Sequence, residues 1–372
     1  MTMNVPSLRI LTNTLELVAD LDRYAELYYT RSLSEPGDFA FSLPIEADSE
    51  GAVAEGNLLL IGNDGRRIGI IEEVERKALD KGSEWLIARG HEAKAIFARR
   101  IILPPAGAAR IDMDAPAETV MKALVESQCG PSAETRRRFP ALKIAADLGR
   151  GCRYSLSSGY ASLLSELCSI AKASGLGFSL SFDPGGQKLI FELIEGIDRS
   201  AGQKENPRAL FASEYDTLSE ARLIQGYGRH ASILYVLGAK LAEGRPVALA
   251  FDGTEPEGFG RFERTLDAPS FDTLERLFAY GQARLSAYPT TFFLEAVLPE
   301  GSSLVPDRDF ALGDLCTVHA YGQWYTVPIH SIEEHWTKDG FQIRLGFGRP
   351  SPGAFSASLH VTNELLEAFR AR

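Results

Sequence analysis

Residues 178–191 read FSLSFDPGGQKLIF, and this stretch decides how the middle of the chain folds. Phe178, Leu180 and Phe182 alternate with polar residues, and the alternation resumes after the two glycines, which is the two-residue period of a β-strand. Pro184 presets φ for the second position of a turn, and Gly185 can supply the positive φ of the third position. The stretch therefore predicts a β-hairpin.

Two glycines close to Lys188 also invite comparison with a phosphate-binding P-loop. Such a loop runs from a strand through Gly-x-x-x-x-Gly-Lys-Ser/Thr into a helix, because the hydroxyl reaches the metal and the helix N-terminus faces the anion. Here Gln187 precedes the lysine, Leu189 stands where the hydroxyl is needed, and a strand pattern follows. The glycines therefore belong to a turn that joins two strands.

The chain has 372 residues and a formal net charge of −11. At roughly 150 residues per domain, this length predicts two or three domains, each with its own core. No apolar run approaches the length of a membrane span, and the first residues, MTMNVPSLRILTNT, lack the basic start and apolar core of a signal peptide. We therefore expect synthesis in a cytoplasm. The acidic balance argues against tight sequence-independent binding of nucleic acid, which depends on Lys and Arg.

Neither the basic clusters nor the cysteines indicate a site. Arg99-Arg100 and Arg136-Arg137-Arg138 are interpreted as solvated faces or an interface rim, because charge runs usually face solvent. The four cysteines lack Cys-x-x-Cys spacing and a nearby His at ligand spacing, so we expect buried small hydrophobes in a reducing compartment. They are Cys129, Cys152, Cys168 and Cys316.

Short strand patterns at regular spacing fill both ends of the chain and indicate a barrel or sandwich in each, with a smaller α+β unit between them. Asn63-Asp64-Gly65 is the strongest hairpin signal in the first unit. The second unit carries an amphipathic helix at 270–288, and a linker leads to a short C-terminal helix at 363–370. The predicted units span residues 1–110, 111–206, 207–350 and 351–372. The fold class is mainly β with an α+β insert, and the two similar β-rich units suggest an internal duplication.

Two helices are predicted in the insert. The first covers Ala117–Glu126 after a proline. The second covers Tyr160–Ala173, where apolar residues share one face. Ser157 or Ser158 is expected to cap its start, and Gly175 to end it in the left-handed conformation.

Two motifs resemble the sequence patterns of known sites, but each departs from its pattern. Residues 226–231 match the G-x-G-x-x-A of a dinucleotide site, which needs a helix next, whereas residues 232–238 are β-branched and aromatic and predict a strand. His330 and His335 approach the H-x-x-E-H of a metallopeptidase with one residue too many, and on a strand they point to opposite sides. We therefore predict no catalytic, cofactor-binding or metal-binding residues.

One class of enzyme nevertheless remains compatible with the sequence. No G-x-S-x-G elbow and no cysteine in a nucleophile context is present. Because the chain has 50 acidic residues, a catalytic pair of carboxylates could be proposed at almost any place in it. A cell-wall-degrading enzyme, either a glycosidase or a peptidase with a carboxylate site between domains, is the alternative reading, because paired carboxylates meet in space and leave little trace in sequence.

An ordered series of segments between Leu8 and Gly348 resembles the siphovirus tail-associated hub proteins, which are related to the baseplate hub of contractile phage tails. The order and spacing of the segments carry the resemblance, and no single signature motif does. They include RSLSEPGDFAFSLP, GNLLLIGNDGRRIGIIEEV, LLSELCSIAKASGLGFSLSFD, NPRALFASEYDTLSEARL and ALGDLCTV.

The resemblance implies a structural, non-enzymatic virion protein of the tail tip. It implies a homotrimeric ring in which two tube-like β-barrel domains per chain flank the α+β insert, so that the ring docks on a six-fold tail tube. The implied partners are further copies of the chain, a distal tail protein ring or tail tube protein, the tape measure protein, and tip or receptor-binding proteins. DNA would pass through the lumen without specific binding, and an acidic lumen would let it slide. The family supplies no catalytic residues.

Overall fold

A computed structural model of the chain describes residues 6–349 apart from positions 49, 79–82, 229, 243, 286 and 339. The linker and C-terminal helix predicted within 351–372 lie outside the described residues. Within the described residues the first β unit has seven strands. They are β1 (Leu8–Leu11), β2 (Leu17–Leu21), β3 (Glu26–Ser32), β4 (Asp38–Pro44), β5 (Leu58–Ile61), β6 (Ile68–Ala78) and β7 (Glu84–Glu92). Strand β7 alternates between buried and more exposed positions, whereas β3 and β5 are buried at every position.

The insert contains five strands and two helices, preceded by a short 3₁₀ segment at Ala93–Arg99. Ile101 forms a single antiparallel bridge with Ser162. The elements are β8 (Ile111–Pro116), α1 (Ala117–Gln128), β9 (Leu142–Ile144), β10 (Arg153–Ser158), α2 (Leu163–Ser174), β11 (Gly177–Asp183) and β12 (Lys188–Ile194).

The described residues of the second β unit form nine strands and one helix. The elements are β13 (Leu210–Phe211), β14 (Glu220–Gly226), β15 (Ile233–Leu237), β16 (Val247–Phe251), β17 (Glu263–Asp267), α3 (Leu274–Leu285), β18 (Thr291–Leu298), β19 (Leu315–Ala320), β20 (Gln323–Thr337) and β21 (Gly340–Arg349).

One 13-stranded sheet runs through both β units. Its main path is β14-β18-β21-β20-β3-β4-β7-β6-β5-β1-β2, and β19 adds to β20. The join is an antiparallel pairing of β20 with β3, from Ser331 opposite Ser32 to Thr337 opposite Glu26. The two barrels expected from the sequence therefore appear as curled halves of a shared sheet, and the pairings among the described strands close neither half. The long β20 serves both halves, because its first part pairs with β19 and its second part with β3.

Each half of the sheet has its own apolar core. The first core gathers side chains from β1 to β7, with Tyr29, Phe39 and Phe41 among its largest members. The second gathers side chains of β13 and β18 to β21, where Phe211 packs edge-on against Phe310 and Phe347. Both cores therefore lie on one face of the sheet across the β3–β20 join. On the other face, Leu58, Leu60 and Ile68 pack against the insert, and Glu26, Tyr28 and Thr30 of β3 are also buried.

The insert shares its core with the first β unit. The buried residues of α1, α2, β11 and β12 form one cluster with Leu58, Ile68 and Phe97. The ring of Phe191 packs edge-on against Phe97 at a centroid distance of 5.3 Å. The tip of the β5–β6 turn also pairs with β11, where the N–H of Phe182 donates to the carbonyl of Gly65 at 2.8 Å. The insert is thus packed against the sheet by both side chains and backbone.

The hairpin predicted at 178–191 is confirmed, with β11 and β12 paired from Gly177 opposite Ile194 to Asp183 opposite Lys188. Its turn differs from the expectation, because Gln187 has the positive φ, at 46°, and Gly185 does not. The Asp183 carboxylate accepts the N–H of Gly185 at 3.1 Å, so the turn starts in the right-handed region. The left-handed residue then falls at the end of the turn.

Helix α2 starts later than predicted. Ser157 and Ser158 belong to β10, which pairs with β8, so neither caps the helix. The cap is Ser162, whose hydroxyl accepts the N–H of Ser165 at 3.4 Å. Gly175 ends the helix at φ 77°, as predicted.

Strands β15, β16 and β17 with α3 form a small unit that has its own core and lies between β14 and β18. The helix predicted at 270–288 is shorter and rests on a narrow contact, since Leu277 and Gly281 are its buried residues. A Cβ at Gly281 would lie 2.6 Å from the side chains of Val236 and Ala250, so the glycine lets the helix approach the sheet. Leu274 and Phe278, which the amphipathic spacing would place on the same face as Leu277, are exposed.

Candidate functional site

The two motifs that approached known sites do not assemble one. Strand β14 ends at Gly226, and the next regular element is the strand β15, as predicted, so no helix N-terminus follows the glycines. Position 229 of this motif lies outside the described residues. His330 is buried at a register shift of β20, whereas His335 pairs with Glu26 across the join, with 2.5 Å between Nε2 and Oε1. The two histidines therefore serve different contacts.

The cysteines are also separate. Cys129 and Cys316 are buried and Cys168 is half-buried, but Cys152 is exposed, contrary to the expectation. Cys152 directly precedes β10. Within the described ranges, no group of three His, Cys, Asp or Glu side chains could hold a metal ion. No described helix is long and apolar enough to cross a membrane.

The face of the shared sheet opposite the two cores carries a series of cross-strand charge pairs. Arg89 on β7 contacts both Glu73 and Glu75 on β6, each at 2.8 Å. The series continues across the join through His335 and Glu26, and then along the second half of the sheet. There, Arg344 on β21 lies 3.3 Å from Glu333 on β20, and Arg222 on β14 lies 3.2 Å from Glu295 on β18. We call this surface the charged face; pairs of this kind stabilise a sheet and set its register.

Carboxylates outnumber guanidinium groups on the charged face. Its acidic members are Glu26, Asp38, Glu73, Glu75, Glu220, Glu295 and Glu333, and its lysine and arginines are Lys77, Arg89, Arg222 and Arg344. Burial raises the pKa of Glu333, although Arg344 and His335 oppose the shift. At the edge of this face, the hydrogen bond that His91 donates to the carboxylate of Glu72 raises the pKa of His91. The face is therefore an acidic surface that extends over both halves of the sheet.

On the opposite face, a buried ion cluster lies at the join between the two cores. Glu334 on β20 accepts from Arg67 at 2.7 and 2.5 Å and lies 4.0 Å from Arg31 on β3. Arg31 is 4 % exposed and pairs with Asp307 at 2.8 Å. Although burial alone would lower it, Glu334 and Asp307 raise the pKa of Arg31. Asp64 completes the cluster, 3.3 Å from Arg67.

This cluster ties three parts of the chain together: the β5–β6 turn, the join, and the loop before β19. A buried charge is costly unless it is paired, so an alternative register of β3 against β20 would leave charges unpaired. Sequence reasoning missed the cluster, because Arg31 and Glu334 are separated by some 300 residues. The signal that was available is the sequence SIEEHW on β20, which places one glutamate on each face of a strand.

Comparisons with known proteins agree on one kind of protein. In Shewanella oneidensis, the 43 kDa tail protein of prophage MuSo2 is similar in structure with a TM-score of 0.56 and 14% identity, covering 94% of this chain and 98% of that one. A tail protein from Neisseria meningitidis MC58 gives a TM-score of 0.55 at 12% identity, covering 95% and 98%. Prophage tail protein gp18 from Listeria monocytogenes EGD-e gives 0.53 at 12% identity, covering 96% and 99%. At these identities the likeness shows the fold.

Comparison with curated protein sequences gives no match. The family model described as Siphovirus ReqiPepy6 Gp37-like protein matches residues 7–349, which is nearly the whole described chain. The resemblance to siphovirus tail-associated hub proteins drawn from the sequence is confirmed at the level of the family. The chain therefore belongs to the Siphovirus ReqiPepy6 Gp37-like protein family.

Proposed function

We propose that the chain is a structural hub at the tip of a phage tail, where three copies form a ring between a six-fold tail tube and a three-fold tip. The observation that carries this proposal is the β3–β20 join, because it places two curled β units side by side in one sheet of one chain. Three chains with two such units present six similar surfaces, which suits a six-fold tube. The family and the tail-protein fold support a structural role in the tail.

In this proposal the charged face lines the channel through which DNA passes. A surface with more carboxylates than guanidinium groups repels phosphate, whereas arginines and lysines would hold it. The partners are a distal tail protein ring or tail tube protein above, the tape measure protein in the channel, and tip or receptor-binding proteins below. Residues 1–110 and 207–350 are the two tube-like modules, and 111–206 is the insert that packs beside the first.

The ring is tested by light scattering of the purified chain over a concentration series. Obligate interfaces of this kind bury on the order of 2,000–5,000 Å², so the trimer is expected to persist on dilution. A mass of one chain at every concentration would contradict assembly by the chain alone.

The channel is tested by reversing charge on the charged face. Glu73→Lys with Glu75→Lys would place two lysines beside Arg89, and we expect slower DNA release from otherwise intact particles. Glu205→Lys, at an exposed loop carboxylate away from the sheet, is the matched control. Equal release from the sheet variant and the control would contradict the channel assignment.

The structural role also predicts that the purified chain leaves a peptidoglycan suspension intact. Clearing that a single Asp or Glu substitution abolishes would favour the cell-wall-degrading alternative over the hub.

A further inference from the structure

A cluster of arginines, here called the arginine patch, lies between the end of the 3₁₀ segment and the loop after α1. Its members are Arg99, Arg100, Arg136, Arg137 and Arg138. Backbone contacts hold the two stretches together: the Nε of Arg100 donates to the carbonyl of Arg137 at 2.8 Å, and the guanidinium of Arg137 donates to the carbonyl of Ile101 at 2.5 Å. The guanidinium of Arg100 also lies 4.2 Å from the ring centre of Phe139. The patch is therefore one contiguous surface.

Within the described residues the arginine patch lacks salt bridges, although Arg99 also interacts electrostatically with Glu72. Throughout the part of the chain that the structure describes, none of its five arginines forms a salt bridge, although most other arginines in this acidic protein do. Two large apolar side chains, Ile101 and Leu103, are exposed within the same stretch, at 47% and 40%. An unpaired cationic surface that also exposes apolar side chains fits a partner with carboxylates around an apolar anchor.

The loop between β16 and β17, here called the Phe259 loop (residues 252–262), has the opposite character. Phe259 is fully exposed, at 105%, between two glycines, and Gly258 takes the left-handed conformation at φ 55°. Asp252 and Glu257 are exposed and form no salt bridge among the described residues, whereas Glu255 is paired with Arg261. The loop thus presents an aromatic side chain flanked by free carboxylates.

We propose that the Phe259 loop of one chain docks on the arginine patch of the next chain in the ring. The two surfaces are complementary in charge, and each offers an apolar group at its centre. Both are exposed in the single chain, so they do not cover each other within it. A contact between two different surfaces of identical chains is heterologous, and such contacts close into rings when the rotation allows. The inference rests on the proposed homotrimer and names the contact that closes it.

A protein partner suits the arginine patch better than DNA does. A DNA backbone would satisfy the guanidinium groups, but it offers no apolar surface for Ile101 and Leu103. Aromatic side chains are enriched among the residues that dominate protein interfaces, whereas Phe259 exposed to water gains nothing for the isolated chain. The glycines on both sides let the ring project away from its own unit.

The test uses charge reversal in the full chain. Arg99→Glu, Arg136→Glu and Arg138→Glu together leave two arginines against three glutamates and so reverse the patch, and Asp252→Lys with Glu257→Lys reverses the loop. These side chains are exposed and outside salt bridges, and Arg138 gives up one hydrogen bond to the carbonyl of Ala133, so thermal unfolding of each monomer should change little. Each reversed variant should need at least about tenfold more protein to assemble, since like charges then face each other. Phe259→Ser should weaken assembly in the same direction, and Phe278→Ala, at an exposed aromatic of α3, is the matched control.

The chain that carries both reversals should recover the trimer, because every contact is complementary again. An equal mixture of the two single reversals should not close, since a three-membered ring of two types always keeps one contact between like types. Trimers of both single reversals at the wild-type concentration would overturn the inference and leave the ring standing, whether or not the arginine patch then proves to bind DNA. A wild-type chain that stays monomeric would overturn the inference and the solution homotrimer together.

Discussion

Replacing Glu334 by Gln removes the charge at the centre of the buried ion cluster and leaves the shape of the side chain intact. Glu334 is the carboxylate that Arg67 contacts with two nitrogens, and it lies 4.0 Å from Arg31. Arg31 retains Asp307 at 2.8 Å, and Arg67 retains Asp64 at 3.3 Å. In the variant, the guanidinium groups of Arg31 and Arg67 therefore have one neighbouring carboxylate charge fewer.

The expected decrease in the free energy of unfolding follows from this geometry. Breaking a buried pair by removing one partner costs about 3–5 kcal/mol. Because the side chain of Arg67 is 23% exposed and both arginines keep a second carboxylate, we expect the lower end of that range. Glu333→Gln is the matched control, since it changes the neighbouring residue of the same strand on the charged face. There Arg344 is 36% exposed and the pair is worth no more than about 1 kcal/mol, while burial already raises the pKa of Glu333.

The assay is urea denaturation at neutral pH, followed by tryptophan fluorescence, because Trp336 lies two residues from Glu334 in the first core. The Gln variant at 334 should lose at least about 2 kcal/mol more of the unfolding free energy than the variant at 333. Equal losses would refute the reasoning, because they would mean that the ion cluster does not hold β3 against β20.

Three further predictions concern the insert and its contact with the sheet. Phe191→Asp should cost about 3–5 kcal/mol by burying a carboxylate in the shared core, whereas Ser181→Asp on the other face of the hairpin should stay within about 0.5 kcal/mol in the same urea titration. Gly65→Ala should destabilise by about 1–3 kcal/mol, because a Cβ there would lie 1.9 Å from a carbonyl oxygen of β11; Gly202→Ala, in open space, is its control. Although burial alone would raise it, hydrogen bonds from arginine and lysine lower the pKa of Glu118 to about 2. Its stabilisation is therefore complete above about pH 4.5 and is lost as the pH falls towards 2, so Glu118→Gln should flatten this part of the acid unfolding curve, and an unchanged curve would contradict the assignment.

The strands were predictable because their signals are local. The alternation around Pro184, the Asn63-Asp64-Gly65 turn and the glycine at 175 each act within a few residues, and the structure places a turn, a turn and a helix end there. The lesser errors are also local. Gly185 does not take the predicted left-handed conformation, because its N–H donates to the carboxylate of Asp183.

The join was not predictable from such signals. Pairing β3 with β20 is a choice of partner across most of the chain, and it depends on the Arg31–Glu334 cluster and on two cores that no short window contains. Which side chains of α3 are buried could not be predicted for a related reason. Gly281 looks neutral in an amphipathic pattern, yet its lack of a side chain fixes which line of the helix meets the sheet, and Phe278 is left in solvent.

The charged face could also not be predicted from local sequence signals. Each of its residues is an ordinary polar position of an alternating strand, and the sequence predicts that it faces away from a core. That these positions form one acidic surface over both β units follows from the join and the register alone. The surface could therefore be identified only when the strand order was known.

The measurement that tests the central claim most directly is averaged electron microscopy of the purified assembly viewed down its axis. The proposal predicts a three-fold ring with six similar lobes around a channel, two from each chain, with the charged face towards the channel. A ring of three lobes, or an assembly without a central channel, would contradict it.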